Sequence, residues 1–424
     1  MLNHFDVLDV RFKKWIIGFN QAMLSALTFL VTLLIVRDIS ADDFGLYVLV
    51  FTGITLCSTI FNALVIHPLG VVIPKYAFQC DGLELYSLNR YQFAVAISLG
   101  CVFLLIGTLV IYIYGDHLYY HVVLSGSVAS IFQMTLMYLK HLLLANFQYT
   151  KCFLIDIVYV VIYLALLIFI SSRDYGDVAY YFYALAFASL VGSLVSVTIN
   201  SQIISSSEHK NEKLVSEVFS QGKWLVRTAL VAWVRTNSAL YISVFFLGPI
   251  APAVIRVGQT IFGPLNTIYM ALAYFVPQLG SKILHSEGHS AFNKFLRKLL
   301  FWISLPATLL VLIVYLNVQS ILGFLSDTNE YSEYSIIVLI IGVQSIFLGW
   351  IEILNIGLRV IERAKEQFFI YLTEFGFTLI FGVVLVMHYD LVGLALWRVL
   401  SCITLLILLA NVLSKYYTPE RQVE

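Results

Sequence analysis

Long apolar runs alternate along this chain with short polar interruptions. Trp15 to Val36 is almost uncharged, and at about 1.5 Å rise per residue it can cross a hydrocarbon core of about 30 Å. A second run opens at Leu46, after the link Arg37-Asp38-Ile39-Ser40-Ala41-Asp42-Asp43-Phe44-Gly45, so Trp15 to Lys75 reads as a membrane hairpin. Each arm carries a polar stripe at helical spacing, Gln21, Ser25, Thr28 and Thr32 in the first and Thr52, Thr55, Thr59 and Asn62 in the second. A single threonine can bond back to its own helix. Two aligned stripes predict a shared polar interior, because lipid satisfies neither hydroxyls nor amides.

Twelve such segments can be marked, at about 14–36, 46–73, 91–114, 122–145, 152–171, 178–204, 222–247, 256–279, 298–317, 334–357, 368–388 and 391–413. The pattern predicts an all-α polytopic membrane protein of about twelve transmembrane helices in two six-helix lobes. The lobes are expected at 1–204 and 222–424, joined by a solvated cytoplasmic linker at 205–221. An offset of 209 relates Lys14-Trp15 to Lys223-Trp224 and Pro68 to Pro277, and sets Leu247 to Pro252 opposite the first link. A parallel repeat of this kind implies a pseudo-twofold axis along the membrane normal. Basic residues collect in alternate loops and at both ends, among them Arg11, Lys13, Lys14, Lys75, Arg90, Lys151, Lys210, Lys282, Lys294, Arg359, Arg363, Lys415 and Arg421. The opposite loops hold little beyond Arg37 and Arg173, beside acidic and aromatic stretches such as Asp116 to Tyr120 and Asp327 to Tyr331, so both termini are expected in the cytoplasm.

Composition narrows the class. With 60% hydrophobic and 12% charged residues, the chain exceeds what a water-soluble core requires. A net charge of zero gives nucleic acid no electrostatic footing. Cys57, Cys80, Cys101, Cys152 and Cys402 are scattered without metal-ligand spacing and read as packing residues. No catalytic group, cofactor or metal site is expected.

Charges inside apolar segments are the most informative feature, at roughly 2.5–3.5 kcal/mol each near a helix centre. Arg235 lies deep in the seventh segment. Arg227, two turns earlier, either shares its face or snorkels to the surface. Arg398 lies within the twelfth segment, Arg256 opens the eighth as an interfacial anchor, and Lys140 with His141 ends a stripe through Ser130, Gln133 and Met137. The carboxylates Asp156, Glu352 and Glu374 fall in the cytoplasmic half. They either pair structurally with these bases or form a site responsive to protons or sodium. The candidate substrate-binding residues are thus Arg235, Arg227, Arg398, Lys140, Gln21 and Asn62, with Trp233, Tyr241, Tyr269 and Tyr274 available to stack on sugar rings.

The order of a striped helix, Arg37-Asp38-Ile39, an acidic link, Phe44-Gly45-Leu46-Tyr47 and a second helix resembles the opening of bacterial polysaccharide and O-antigen flippases, members of the multidrug/oligosaccharidyl-lipid/polysaccharide exporter superfamily. The resemblance extends to the helix layout of the whole chain. It implies a two-lobed, V-shaped transporter in the bacterial inner membrane that flips polyprenyl-diphosphate-linked oligosaccharide. Its partners would be membrane lipids and other polysaccharide-assembly proteins. Guanidinium forks suit the diphosphate, which makes Arg235 the first choice for a headgroup contact. A cation-coupled drug exporter of the same superfamily is the alternative, against which Arg235 and Arg398 count. A membrane polymerase, ligase or glycosyltransferase requires placed acid and base groups that these short loops do not show. A passive scaffold leaves the costly arginines without a task.

Overall fold

The structure, a computed structural model, describes residues 4–69, 86–114, 119–145, 148–173, 176–199, 212–325, 331–361 and 363–417. Lys75, Cys80, Asp116 to Leu118, Lys210, Asp327 to Glu330 and Arg421 lie outside the described residues, as do the side chains of Arg11, Lys13, Lys14, Trp15, Lys213, Trp224 and Tyr274. The described chain is helical. Its elements are α1 (His4–Asp38), α2 (Ala41–Phe61, continued by one π-helical turn at Asn62–Ile66), α3 (Tyr86–Tyr114), α4 (Tyr120–Ala145), α5 (Tyr149–Ser171), α6 (Val178–Ile199), α7 (Glu212–Leu247), α8 (Ile250–Ile261), α9 (Gly263–Leu325), α10 (Ser335–Val360) and α11 (Ala364–Tyr417).

Ten helices among the described residues are long and apolar enough to cross a membrane. Two of these spans, Leu279–Leu325 and Lys365–Lys415, hold 47 and 51 residues, more than twice the roughly 20 that one crossing needs. Both double back. In α11 the backbone reverses at Asp390, a non-glycine residue at φ 48° and ψ −129°, and Gly382 then faces the Trp397 indole. In a straight helix those residues would be about 22 Å apart. In α9 the backbone leaves helical geometry at Gly288, φ 83°, after which Phe292 packs against Gly280, and again at Asn317, φ −127°. Divided at Gly288 and Asp390, and with α8 and the first arm of α9 counted together, the described helices give twelve arms.

The boundaries correct the hydropathy reading in three places. Residues 280–297, expected as a loop, are helical on both sides of Gly288, because Lys282, Lys294 and Arg297 mark where a helix leaves lipid without breaking its hydrogen bonds. α7 begins at Glu212, inside the stretch read as a linker, of which 205–211 lie outside the described residues. Arg256 sits within α8, not at its start.

Local chemistry accounts for the joints. Ser40 Oγ accepts from the Asp43 backbone N–H at 3.2 Å and donates to the Asp43 carboxylate at 2.7 Å, which caps α2, while Asp42 and Asp43 suit its positive end. α7 stops at Gly248, whose φ of 77° closes the helix, and Pro249 then leads into α8. The same 209-residue offset read in the sequence relates the end of α1 at Asp38 to the end of α7 at Leu247, and the start of α2 at Ala41 to the start of α8 at Ile250.

The chain divides into two compact units, residues 1–39 with 46–233 and residues 40–45 with 234–424. In the first, α4 packs against α3, α5 and α6, and α1 lies on α5. Its core gathers Cys57, Phe61, Val65 and Leu69 of α2 with Met134, Tyr138 and Leu142 of α4 and Val218 of α7. In the second, α10 packs against α8, α9 and α11, and Ile351, Leu358, Ile370, Cys402 and Leu409 form a core. Cys57, Cys152 and Cys402 are buried packing residues; Cys101 is exposed.

Candidate functional site

The threonine stripes satisfy themselves. Thr32 donates to the Thr28 carbonyl at 2.9 Å, Thr52 to Val48 at 2.6 Å, Thr55 to Thr52 at 2.6 Å and Thr59 to Thr55 at 2.7 Å. Their donors therefore need no second helix, although Thr55 Oγ1 also accepts from Trp233 Nε1 at 3.3 Å. Gln21 is half-buried on α1, and Asn62 is half-buried where α2 passes into its π turn.

Two clusters of intramembrane charge stand out among the described residues, one in each unit. In the first, the buried Asp156 of α5 takes an ion pair from Lys140 of α4 and a hydrogen bond from Asn20 Nδ2 of α1 at 2.7 Å. Three helices are thus tied at one carboxylate. His141 is turned away, its Nδ1 against the Met137 carbonyl at 2.8 Å.

In the second unit, Glu374 of α11 is fully buried, and its Oε1 accepts hydrogen bonds from Ser401 and from Thr378, the latter at 3.2 Å. Arg235 of α7 approaches the other oxygen, Nη1 to Oε2 at 3.6 Å, and its guanidinium lies 4.7 Å from the centre of the Tyr371 ring. Gln367 Nε2 donates to Tyr371 Oη at 2.9 Å and to Asn355 Oδ1 at 3.0 Å, which fixes that ring. Arg398 is half-buried, and its Nε donates to Gln344 Oε1 of α10 at 3.2 Å. Arg398 stands one turn before Ser401, a donor to Glu374, so two guanidiniums belong to a cluster with one carboxylate.

The other candidates stand elsewhere. Arg227 is exposed on α7. Glu352 pairs with Arg359 of its own helix at 3.4 Å. Tyr269, expected as a sugar platform, is buried against Gly349 and donates to the Ser345 carbonyl at 2.9 Å; Tyr241 is exposed. Asn20, Gln344, Asn355, Tyr371, Thr378 and Ser401 were not singled out in the sequence. Helical spacing carried a signal for three of them, since Tyr371 and Thr378 lie three before and four after Glu374, and Ser401 three after Arg398. Among the described residues no group of three His, Cys, Asp or Glu side chains is placed to hold a metal ion.

This architecture is the fold of solved MATE transporters, among them a multidrug resistance transporter of the MOP superfamily, and of a lipid II flippase. The inward-closed structure of the lipid II flippase MurJ matches with a TM-score of 0.71 at 15% identity, covering 95% of this chain and 87% of that one. A variant of the Vibrio cholerae MATE transporter VcmN matches with a TM-score of 0.63 at 14% identity over 96% of both chains. A MOP superfamily transporter from Pyrococcus furiosus, described as having a binding pocket of reverse polarity, gives 0.59 at 12% identity over 96% of this chain and 97% of that one. Neither a protein-family model nor a curated protein sequence matches the chain.

Proposed function

We propose that this protein is a flippase that moves a polyprenyl-diphosphate-linked oligosaccharide, the repeat unit of an O-antigen or other surface polysaccharide, across a bacterial inner membrane by alternating access. Both termini lie in the cytoplasm in this reading. The observation that carries it is the charge balance of the second unit's buried cluster, with Arg235 and Arg398 set against the carboxylate Glu374. Guanidinium forks remain charged in a partly buried site and match multi-oxygen anions with paired hydrogen bonds. The fold likeness to a lipid II flippase supports a lipid-linked substrate. Lys140 is engaged by Asp156 and holds α4 to α5.

The likeness to MATE transporters supports a second reading, a cation-coupled drug exporter. A cationic drug favours a site of net negative charge, and the second unit's cluster has the opposite balance. Reconstitution into vesicles separates the two. The flippase reading expects protein-dependent translocation of a defined polyprenyl-diphosphate glycan and no ion-driven accumulation of a cationic dye; dye transport without glycan flipping would overturn it.

A further inference from the structure

Arg235 is held on one side and open on another. The Tyr371 ring fixes the guanidinium, while Nη1 stops 3.6 Å from Glu374 Oε2, beyond hydrogen-bond distance, and Nε is buried without a hydrogen-bond partner. A buried donor without an acceptor is unfavourable, and a two-oxygen anion along the guanidinium edge would supply one. Ser401 and Thr378 hold Glu374 by its Oε1 independently of Arg235, while its Oε2 is, like the Arg235 Nε, buried without a hydrogen-bond partner. Arg398 lies one helical turn before Ser401 on the same face, its Nε bound to the neutral Gln344. The carboxylate can therefore lose the guanidinium and keep two donors.

We propose that Glu374 is the resident counter-ion of an oxyanion site formed by Arg235 and Arg398, and that a diphosphate displaces it from Arg235 while Ser401 and Thr378 retain the carboxylate. This rests on the transport reading above and names its phosphate subsite. The exchange has a purpose for a carrier, which must release what it binds. Two unopposed guanidiniums would hold a diphosphate strongly, whereas a carboxylate waiting beside the fork lowers the affinity and refills the site when the ligand leaves.

The test titrates the purified full chain in detergent with inorganic diphosphate and with farnesyl diphosphate, with the thermal midpoint of each variant recorded. Glu374→Gln keeps the side-chain shape and removes the competing charge, so it should bind both probes about tenfold more tightly than wild type. Ser401→Ala leaves Glu374 leaning on Arg235 and should bind severalfold more weakly. Arg235→Ala should lose binding. A gain confined to farnesyl diphosphate supports a site for a lipid headgroup, and an equal gain for both supports one that reads the diphosphate alone. Loss of binding in Arg235→Ala with no tightening in Glu374→Gln overturns the counter-ion role and leaves the transport reading standing. Undiminished binding in Arg235→Ala overturns both. If Glu374→Gln fails to accumulate, Ser401→Ala decides, and binding there as tight as wild type sinks the proposal.

Discussion

Lys140 and Asn355 occupy the same station in the two units. α4 and α10 are both 26 residues long, and an offset of 215 carries Tyr120 to Ser335 and Ala145 to Val360, the two ends of each. The same offset takes Tyr149, the start of α5, to Ala364, the start of α11, and so places Asp156 opposite Tyr371 and Cys152 opposite Gln367. At this contact the first unit uses a buried ion pair, Lys140 with Asp156, where the second uses the neutral set Asn355, Gln367 and Tyr371. The second unit's carboxylate stands one turn later, at Glu374, and faces an arginine from α7.

Breaking the first cluster from one side should be costly. Lys140→Met leaves a buried carboxylate with Asn20 and the Cys152 thiol, at 4.0 Å, as its remaining donors, and one-sided loss of a buried pair costs roughly 3–5 kcal/mol. Membrane abundance and the thermal midpoint in detergent should both fall. The triple change Lys140→Asn, Cys152→Gln and Asp156→Tyr, which copies the second unit, should regain much of the loss. An unchanged midpoint in Lys140→Met would show that the pair contributes nothing to stability.

Arg235 separates charge from shape. Arg235→Lys keeps a positive point donor and loses the planar fork, and Arg235→Ala loses both. Because Ser401 and Thr378 still hold Glu374, both variants should accumulate, with glycan flipping reduced in Lys and largely lost in Ala. Collapse of abundance in Arg235→Ala would instead assign it a structural role. Normal abundance with full flipping would remove it from the substrate path.

Orientation follows from the asymmetry of basic residues. A cysteine at Asp42, exposed at the start of α2, should react with an impermeant maleimide from outside the cell, and one at Glu287, exposed beside the Gly288 break, should react only after permeabilisation. Outside labelling at Glu287 would reverse the topology.

The α11 hairpin depends on a missing side chain. Any Cβ at Gly382 runs into the Trp397 indole, so Gly382→Leu should destabilise by about 1–3 kcal/mol, the range for overpacking. Shrinking the partner in Gly382→Leu with Trp397→Ala should recover part of the thermal midpoint. No recovery in the double variant would mean that the indole is not the obstacle.

Apolar run length by itself determined the class, the number of arms and the place of most helices, because lipid demands a helix wherever some twenty apolar residues occur together. The 209-residue repeat was legible for a similar reason, since the joint after Asp38 and the joint after Leu247 each leave a mark of polar or helix-breaking residues. Hydropathy misjudged residues 280–297, because it reports the solvent around a helix and not its hydrogen bonds. It also predicted a shared polar interior from the threonine stripes, and only the side-chain hydrogen bonds show Thr32, Thr52, Thr55 and Thr59 bonded to their own helices. The costly charges could be found in the sequence, yet their partners could not. Asp156 meets Lys140 sixteen residues away and Asn20 136 residues away, and Glu374 meets Ser401 across the Asp390 turn. Such pairings depend on which helix faces pack together, and packing is a property of the tertiary structure that no local pattern of residues encodes.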